Sequence, residues 1–187
     1  MMTYTRADLS AALEALSDST LPATESELAR AVIIAASLAG KTLATAESVT
    51  AGLIAATLAT VPGASVVLRG GIIAYATDLK CSLLRVPASL LERGGVIQAP
   101  VAEAMAQGAC AATGADYAVA CTGVAGPEGQ DGHPVGEVHV AVAGPGSVRT
   151  HSLTLQGDRD GIRHSTVLVV LGMLLDALLP LVDMSGL

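Results

Sequence analysis

The chain has 187 residues, 51% of them hydrophobic and 14% charged, with a formal net charge of −7. That length gives a single domain a sizeable core, and that apolar content excludes a disordered tail, which lacks the surface needed to offset ordering entropy. An acidic balance with no Trp, no Phe and only three tyrosines, Tyr4, Tyr75 and Tyr117, argues against nucleic-acid binding, which relies on clustered Lys and Arg or on aromatic stacking platforms.

In chain order, Thr5–Asp8 and Thr24–Glu27 each place Thr three residues ahead of a carboxylate, the pattern of a capping box. They predict a short peripheral helix over 6–16 and a longer one over 25–39 ending at Gly40, joined by a polar linker over 17–23. A strand over 42–46 leads to a helix over 49–60, stopped before Pro62-Gly63. Residues 65–75 read as a strand that Gly70-Gly71 interrupts as a bulge or point of close approach. Helices follow over 78–84, 87–92 and 99–112. The apolar run 116–121 is a buried strand leading into a loop over 122–134. Two alternating segments, 135–143 and 148–156, flank Gly144-Pro145-Gly146-Ser147 and form an antiparallel hairpin. Asp158 caps a final helix reaching residue 179. This order predicts an α/β sandwich with a mixed sheet containing that hairpin.

The most apolar stretch, 166–182, contains Asp176 and Pro180 and falls short of the ~20 apolar residues of a spanning helix. It reads as a buried helix, apolar on nearly all sides, and so predicts a homo-oligomer, by base rate a dimer. The N-terminus is acidic and polar, without a basic start and an apolar run, so a cytoplasmic protein with no membrane partner is expected. Cys81, Cys110 and Cys121 make an odd count without CxxC spacing and read as reduced thiols. His133, His139, His151 and His164 show no metal-motif spacing, and His139 and His151 read as surface or satisfied core residues. No metal and no cofactor are assigned.

Four segments can carry chemistry. Glu47-Ser48-Val49-Thr50-Ala51-Gly52 is a strand-to-helix turn. A serine there lies at the carboxyl end of a strand, where open α/β sheets place ligands, and the following backbone N–H groups are oriented to stabilise an oxyanion or a phosphate. An ordinary N-cap at Ser48 or Thr50 is the plainer alternative. In Tyr75-Ala76-Thr77-Asp78-Leu79-Lys80 a strand end and a helical turn bring Tyr75 and Lys80 together. A desolvated lysine takes a serine's proton, and a tyrosine hydroxyl relays that proton or holds the lysine; a surface lysine is the alternative. Only Lys41 and Lys80 stand among ten basic residues, and lysine, unlike arginine, is readily tuned to a neutral base. Cys121-Thr122-Gly123-Val124-Ala125-Gly126-Pro127 again leaves a strand, with glycines that let a ligand approach the backbone and an inert thiol at Cys121. Arg159 and Arg163 share a helix face and either hold an anion or pair with carboxylates such as Asp160.

Together these segments resemble the C-terminal domain of the competence/damage-inducible CinA proteins, whose stand-alone members include nicotinamide-nucleotide amidohydrolases. The resemblance rests on Glu47, Ser48, Thr50 and Gly52; Gly70, Gly71, Ala74, Tyr75, Lys80, Leu83, Leu84 and Val86; Thr122, Gly123, Ala125, Gly126 and Pro127; Pro134-Val135-Gly136; and Gly157, Asp158, Arg159, Ile162 and Arg163. Order and spacing hold over roughly 25–180, giving an N-terminal extension with a short helix over 1–24 and a CinA C-terminal-like domain over 25–187. The extension is too short for the separate N-terminal domain of larger family members.

The resemblance implies a three-layer α/β/α fold and hydrolysis of the carboxamide of nicotinamide mononucleotide to nicotinate mononucleotide and ammonia. By position Ser48 is the nucleophile and Lys80 its base, with Tyr75 assisting. Glu47, Thr50, Gly52, Thr122, Gly123, Arg159 and Arg163 are the candidate substrate-binding residues. Four positions depart from the family pattern: Val49 for Cys, Ala51 for Gly, Thr77 for Asn and Gln98 for Ser. They raise the alternative of a catalytically degenerate, oligomeric nucleotide-binding paralogue. A Ser/Lys hydrolase with another amide substrate is a third reading.

Overall fold

The computed structural model describes residues 3–17, 23–183 and 185; most of the expected linker lies outside the described residues. Five strands, β1 (Leu43–Glu47), β2 (Leu68–Ile73), β3 (Tyr117–Gly123), β4 (Glu137–Gly144) and β5 (Ser147–Thr154), form one mixed sheet in the order β2–β1–β3–β4–β5. β1 runs parallel to both β2 and β3, while β3–β4 and β4–β5 are antiparallel. All five residues of β1 are buried, as befits a central strand covered on both faces.

One face carries α1 (Arg6–Ser17), α2 (Glu25–Leu38), α3 (Leu53–Ala59) and α7 (Arg159–Leu178). The other carries α4 (Thr77–Leu84), α5 (Ala88–Gly94) and α6 (Ala99–Thr113). The alternation of β3 and β4 sorts their side chains between the two cores. Val119, Cys121, Val138, Val140 and Val142 pack toward α2 and α7, whereas Ala118, Ala120, Ala141 and Ala143 pack toward α6. The result is the three-layer α/β/α sandwich. Because β1 joins neighbours whose crossovers lie on opposite faces, its carboxyl end is a topological switch point, where open α/β sheets hold ligands. Glu47 pairs there with Ile73 on one side and Cys121 on the other.

Both capping boxes form. Thr24 Oγ1 accepts from Glu27 N at 3.2 Å while Thr24 N donates to the Glu27 carboxylate at 2.8 Å, and Thr5 with Asp8 repeats the exchange. Asp158 caps α7 by accepting from Gly161 N at 2.8 Å. Helix α1 is less peripheral than its position suggests. Leu9 and Ala12 are buried against the main core, and the Tyr4 hydroxyl donates to Pro62 O. With α1 in place, α2 buries six consecutive residues, Ala31 to Ala36.

Helix α7 is long and apolar enough by composition to cross a membrane, and nine of its 20 residues are buried inside this chain. Leu168, Val169 and Gly172 are left half-buried. Part of the apolar girdle that suggests a partner subunit is covered within this chain itself. Two other boundaries moved: α3 starts at Leu53 rather than 49, and a 3₁₀ turn, Ala64–Val66, precedes β2.

Gly108 of α6 sets how closely α4 docks. A Cβ there would stand 1.9 Å from Leu84 O, and backbone cannot rotate away as a side chain can. Gly108→Ala is expected to lower stability by about 1–3 kcal/mol, the range of forced overpacking, read as a lower urea midpoint at unchanged slope.

Candidate active site

The three parallel strands end side by side, and the residues just beyond them build the site. After β1 the chain turns through Ser48 to Gly52. After β2 it passes Ala74 and Tyr75 into α4, tied back to β1 by Ala74 N donating to Glu47 O at 2.9 Å. After β3 it enters a loop from Val124 toward β4.

Lys80 lies in the middle of α4, and its long side chain reaches back under the α4 N-terminus. Its Nζ donates to Ser48 Oγ at 3.0 Å, Ala74 O at 2.7 Å and Tyr75 O at 3.2 Å. The residue is only 1% exposed. Burial pushes its pKa below the ordinary lysine value, with the nearby Cys121 a smaller opposing influence. Burial, with the charge of Glu47 adding to it, raises the Cys121 pKa in turn, which works against the charged thiolate beside Lys80. No carboxylate contacts the amine among the described residues.

Ser48 opens into a cavity of about 170 Å³. Its walls include Val49, Tyr75, Thr77, Val96, Thr122, residues 123–126, Glu128, Gln130 and Arg159. Thr122 Oγ1 donates to Val96 O at 2.8 Å, pinning the segment before α6 against β3. A Cβ on Gly123 would lie 2.5 Å from Glu137 O, so the close passage of β3 and β4 admits only glycine. Arg159 donates to Gly126 O at 2.7 Å and to the Tyr75 hydroxyl at 3.0 Å, bridging the loop and the start of α4. A larger hollow, about 440 Å³, lies at the opposite end of the sheet around the β4–β5 turn, away from Ser48 and Lys80.

The structure therefore brings Ser48, Lys80, Tyr75, Thr122, Gly123 and Arg159 to one place. Tyr75 differs from its expected part: its hydroxyl faces Arg159, and its backbone carbonyl holds the lysine. Glu47, Thr50 and Gly52 lie behind the wall instead of on it. Both Glu47 and Thr50 are fully buried, and the Glu47 carboxylate accepts from Gly52 N, Ile54 N and Ala55 N at 2.9–3.0 Å. The α3 N–H groups expected to face an oxyanion are occupied by that carboxylate, which is also why the helix starts late. Arg163 pairs with Asp160 at 3.1 Å and donates to Thr50 O at 3.0 Å, bracing the turn from behind.

Val96, Glu128 and Gln130 were missed as wall residues. The last two fall in a loop already marked by its glycines, whereas nothing in the sequence signals Val96. Gln98 donates to Leu90 O and Gly95 O and so shapes the α5–α6 corner. The histidines are satisfied locally: His139 lies between Ser152 Oγ and Glu137, His133 contacts Glu137, and His164 contacts Glu25, while His151 is exposed.

Two measurements test this geometry. Ala51 sits at φ 52°, a left-handed conformation costing an L-residue about 1–2 kcal/mol. Allowing for glycine's greater chain entropy, Ala51→Gly is expected to stabilise the protein by about 1 kcal/mol in urea unfolding. For Lys80, a folded pKa below the unfolded one means that the unfolded chain binds more protons, so stability rises with pH between the two values. Lys80→Met removes that dependence. Its stability relative to the unsubstituted protein should improve as pH falls from about 10 toward neutrality; a pH-independent difference would contradict the burial of a titrating amine.

The sequence model of the CinA C-terminal domain matches residues 25–178. The chain is 48% identical over 132 residues to a CinA-like protein of Frankia casuarinae, covering 71% of this chain and 30% of the relative. It is 49% identical over 148 residues to a CinA-like protein of Mycolicibacterium vanbaalenii, covering 78% and 35%. It thus spans about a third of the length of these relatives. Among solved structures, the competence/damage-inducible protein CihA of Agrobacterium tumefaciens superposes with TM-score 0.80 at 38% identity, covering 84% of this chain and 98% of that one. A CinA superfamily protein of Klebsiella pneumoniae superposes with TM-score 0.81 at 30% identity, covering 84% and 99%. With α1 outside the matched span, the chain from α2 through α7 belongs to the CinA C-terminal domain family.

Proposed function

We propose that the protein is a serine amidohydrolase that converts the carboxamide of nicotinamide mononucleotide to the carboxylate and releases ammonia. The observation that carries this reading is the buried Lys80 amine, 3.0 Å from Ser48 Oγ and without a counter-ion among the described residues. Membership of the CinA family supports the class of substrate, and the cavity supports its presentation. A volume of about 170 Å³ is below the ~300 Å³ at which pockets enclose a drug-sized ligand. It accepts an amide-bearing ring and leaves the rest of a nucleotide at the mouth, near Arg159.

In the neutral amine, two N–H bonds satisfy Ala74 O and Tyr75 O, and the remaining lone pair faces Ser48. The two carbonyls thus orient the base as the third member of a triad orients an imidazole. Lys80 takes the Ser48 proton as Oγ bonds to the carboxamide carbon. It returns that proton to the amide nitrogen as the C–N bond breaks, giving an ester on Ser48 and free ammonia. Water then attacks the ester carbon, losing a proton to Lys80. The C–Oγ bond breaks, the acid departs, and Ser48 recovers its proton.

Ammonia and nicotinate mononucleotide released by the purified protein test the reaction. Ser48→Ala, Lys80→Ala and Lys80→Arg are each expected to lower kcat on the order of 10³-fold or more, because members of one catalytic unit fail together. Lys80→Arg keeps the charge and loses the base; near-normal kcat in that variant would reject the Ser–Lys mechanism. Activity should rise with pH as Lys80 becomes neutral. Nucleotide binding without turnover in the unsubstituted protein would favour the degenerate paralogue.

A further inference from the structure

Glu47 closes β1, immediately precedes Ser48, and is the only fully buried acid among the described residues. No cation pairs with it there. Five neutral donors hold it instead. Oε1 accepts from Thr45 Oγ1 and Ala55 N, both at 2.9 Å. Oε2 accepts from Thr50 Oγ1 at 2.7 Å, Gly52 N at 2.9 Å and Ile54 N at 3.0 Å. The donors come from β1, from the turn and from the first turn of α3, so one carboxylate fastens three pieces of chain together.

The chain extends by one more member. Thr50 has a single hydroxyl proton, and it is directed to Glu47. Cys121 Sγ, 3.0 Å from the same oxygen, is therefore the donor in that contact, and the thiol of β3 joins the network. The turn so held needs an external anchor, because Ala51 and Gly52 are left-handed in succession, at φ 52° and 99°. None of Glu47, Thr50 or Gly52 reaches the cavity wall.

From this we infer that Glu47, acting with Thr50, is a positioning residue for Ser48: it fixes the 48–52 turn so that Oγ stands within hydrogen-bond reach of Lys80, and it does not touch substrate. The inference rests on the amidohydrolase reading for its kinetic effect, but its geometric content does not. Glu47→Gln keeps the shape and turns an NH₂ toward N–H donors. Thr50→Val removes one donor, and Thr50→Ser restores it.

With nicotinamide mononucleotide, Glu47→Gln is expected to lower kcat about 100-fold, the effect of roughly 1 Å of misplacement, with KM within about twofold. Thr50→Val should lose about tenfold in kcat by the same argument, and Thr50→Ser should recover most of that loss. Crystal structures of Glu47→Gln and Thr50→Val should show Ser48 Oγ beyond about 3.5 Å from Lys80 Nζ, outside hydrogen-bond range. A raised KM with kcat preserved would mark Glu47 as a substrate ligand and overturn the inference, as would an unchanged distance in these variants. If Glu47→Gln does not fold, the Thr50→Val and Thr50→Ser pair decides by the same readouts. If the unsubstituted protein releases no ammonia from this nucleotide, the reaction reading fails and the Oγ–Nζ distance alone decides the positioning role.

Discussion

An amine buried at the carboxyl ends of parallel strands, with no counter-ion among the described residues, is the constraint around which this fold is arranged. Desolvation penalises the charged form of Lys80, and the Ala74 and Tyr75 carbonyls and Ser48 Oγ answer its hydrogen-bonding needs. Those acceptors exist because β2 stops where it does and α4 starts two residues after Tyr75. α4 in turn keeps its place because Gly108 lets α6 approach the Leu84 carbonyl.

Two buried ionisable groups, Glu47 and Lys80, flank the Ser48 turn without forming an ion pair with each other. Each is satisfied by neutral dipoles. In the mechanism proposed above, such a pair would hold the lysine charged and leave the serine without a base. The separation assigns the acid to backbone architecture and leaves the amine without that counter-charge. The α3 N-terminus suits the first task, since its orphan N–H groups and dipole favour a negative charge.

Most of the layer order was legible in the sequence because it follows from local signals. The Thr24 and Asp158 caps, the Gly144–Ser147 turn and the apolar strands each specify their element without help from distant residues. The pairing of Ser48 with Lys80 came from the family resemblance, and the structure places their side chains 3.0 Å apart. What the sequence concealed depends on side chains that turn inward or bond at long range. Glu47 and Thr50 read as ligands because motif position says nothing about which way a side chain points. Tyr75 read as a hydroxyl donor although its carbonyl does the holding. The late start of α3 required knowing that Glu47 takes the N–H groups of its first turn.

The six consecutive buried residues of α2 carry an evolutionary consequence. A helix covered on every side has lost the polar stripe that normally records which way it faces, so its sequence alone no longer reports its orientation. Here the outer cover is α1, which lies outside the span shared with the family. In any relative that lacks such a helix, the same stretch must either regain polar residues or find cover elsewhere. The burial of Ala31 to Ala36 is thus a property of this chain with its own α1, and not of the matched span taken by itself.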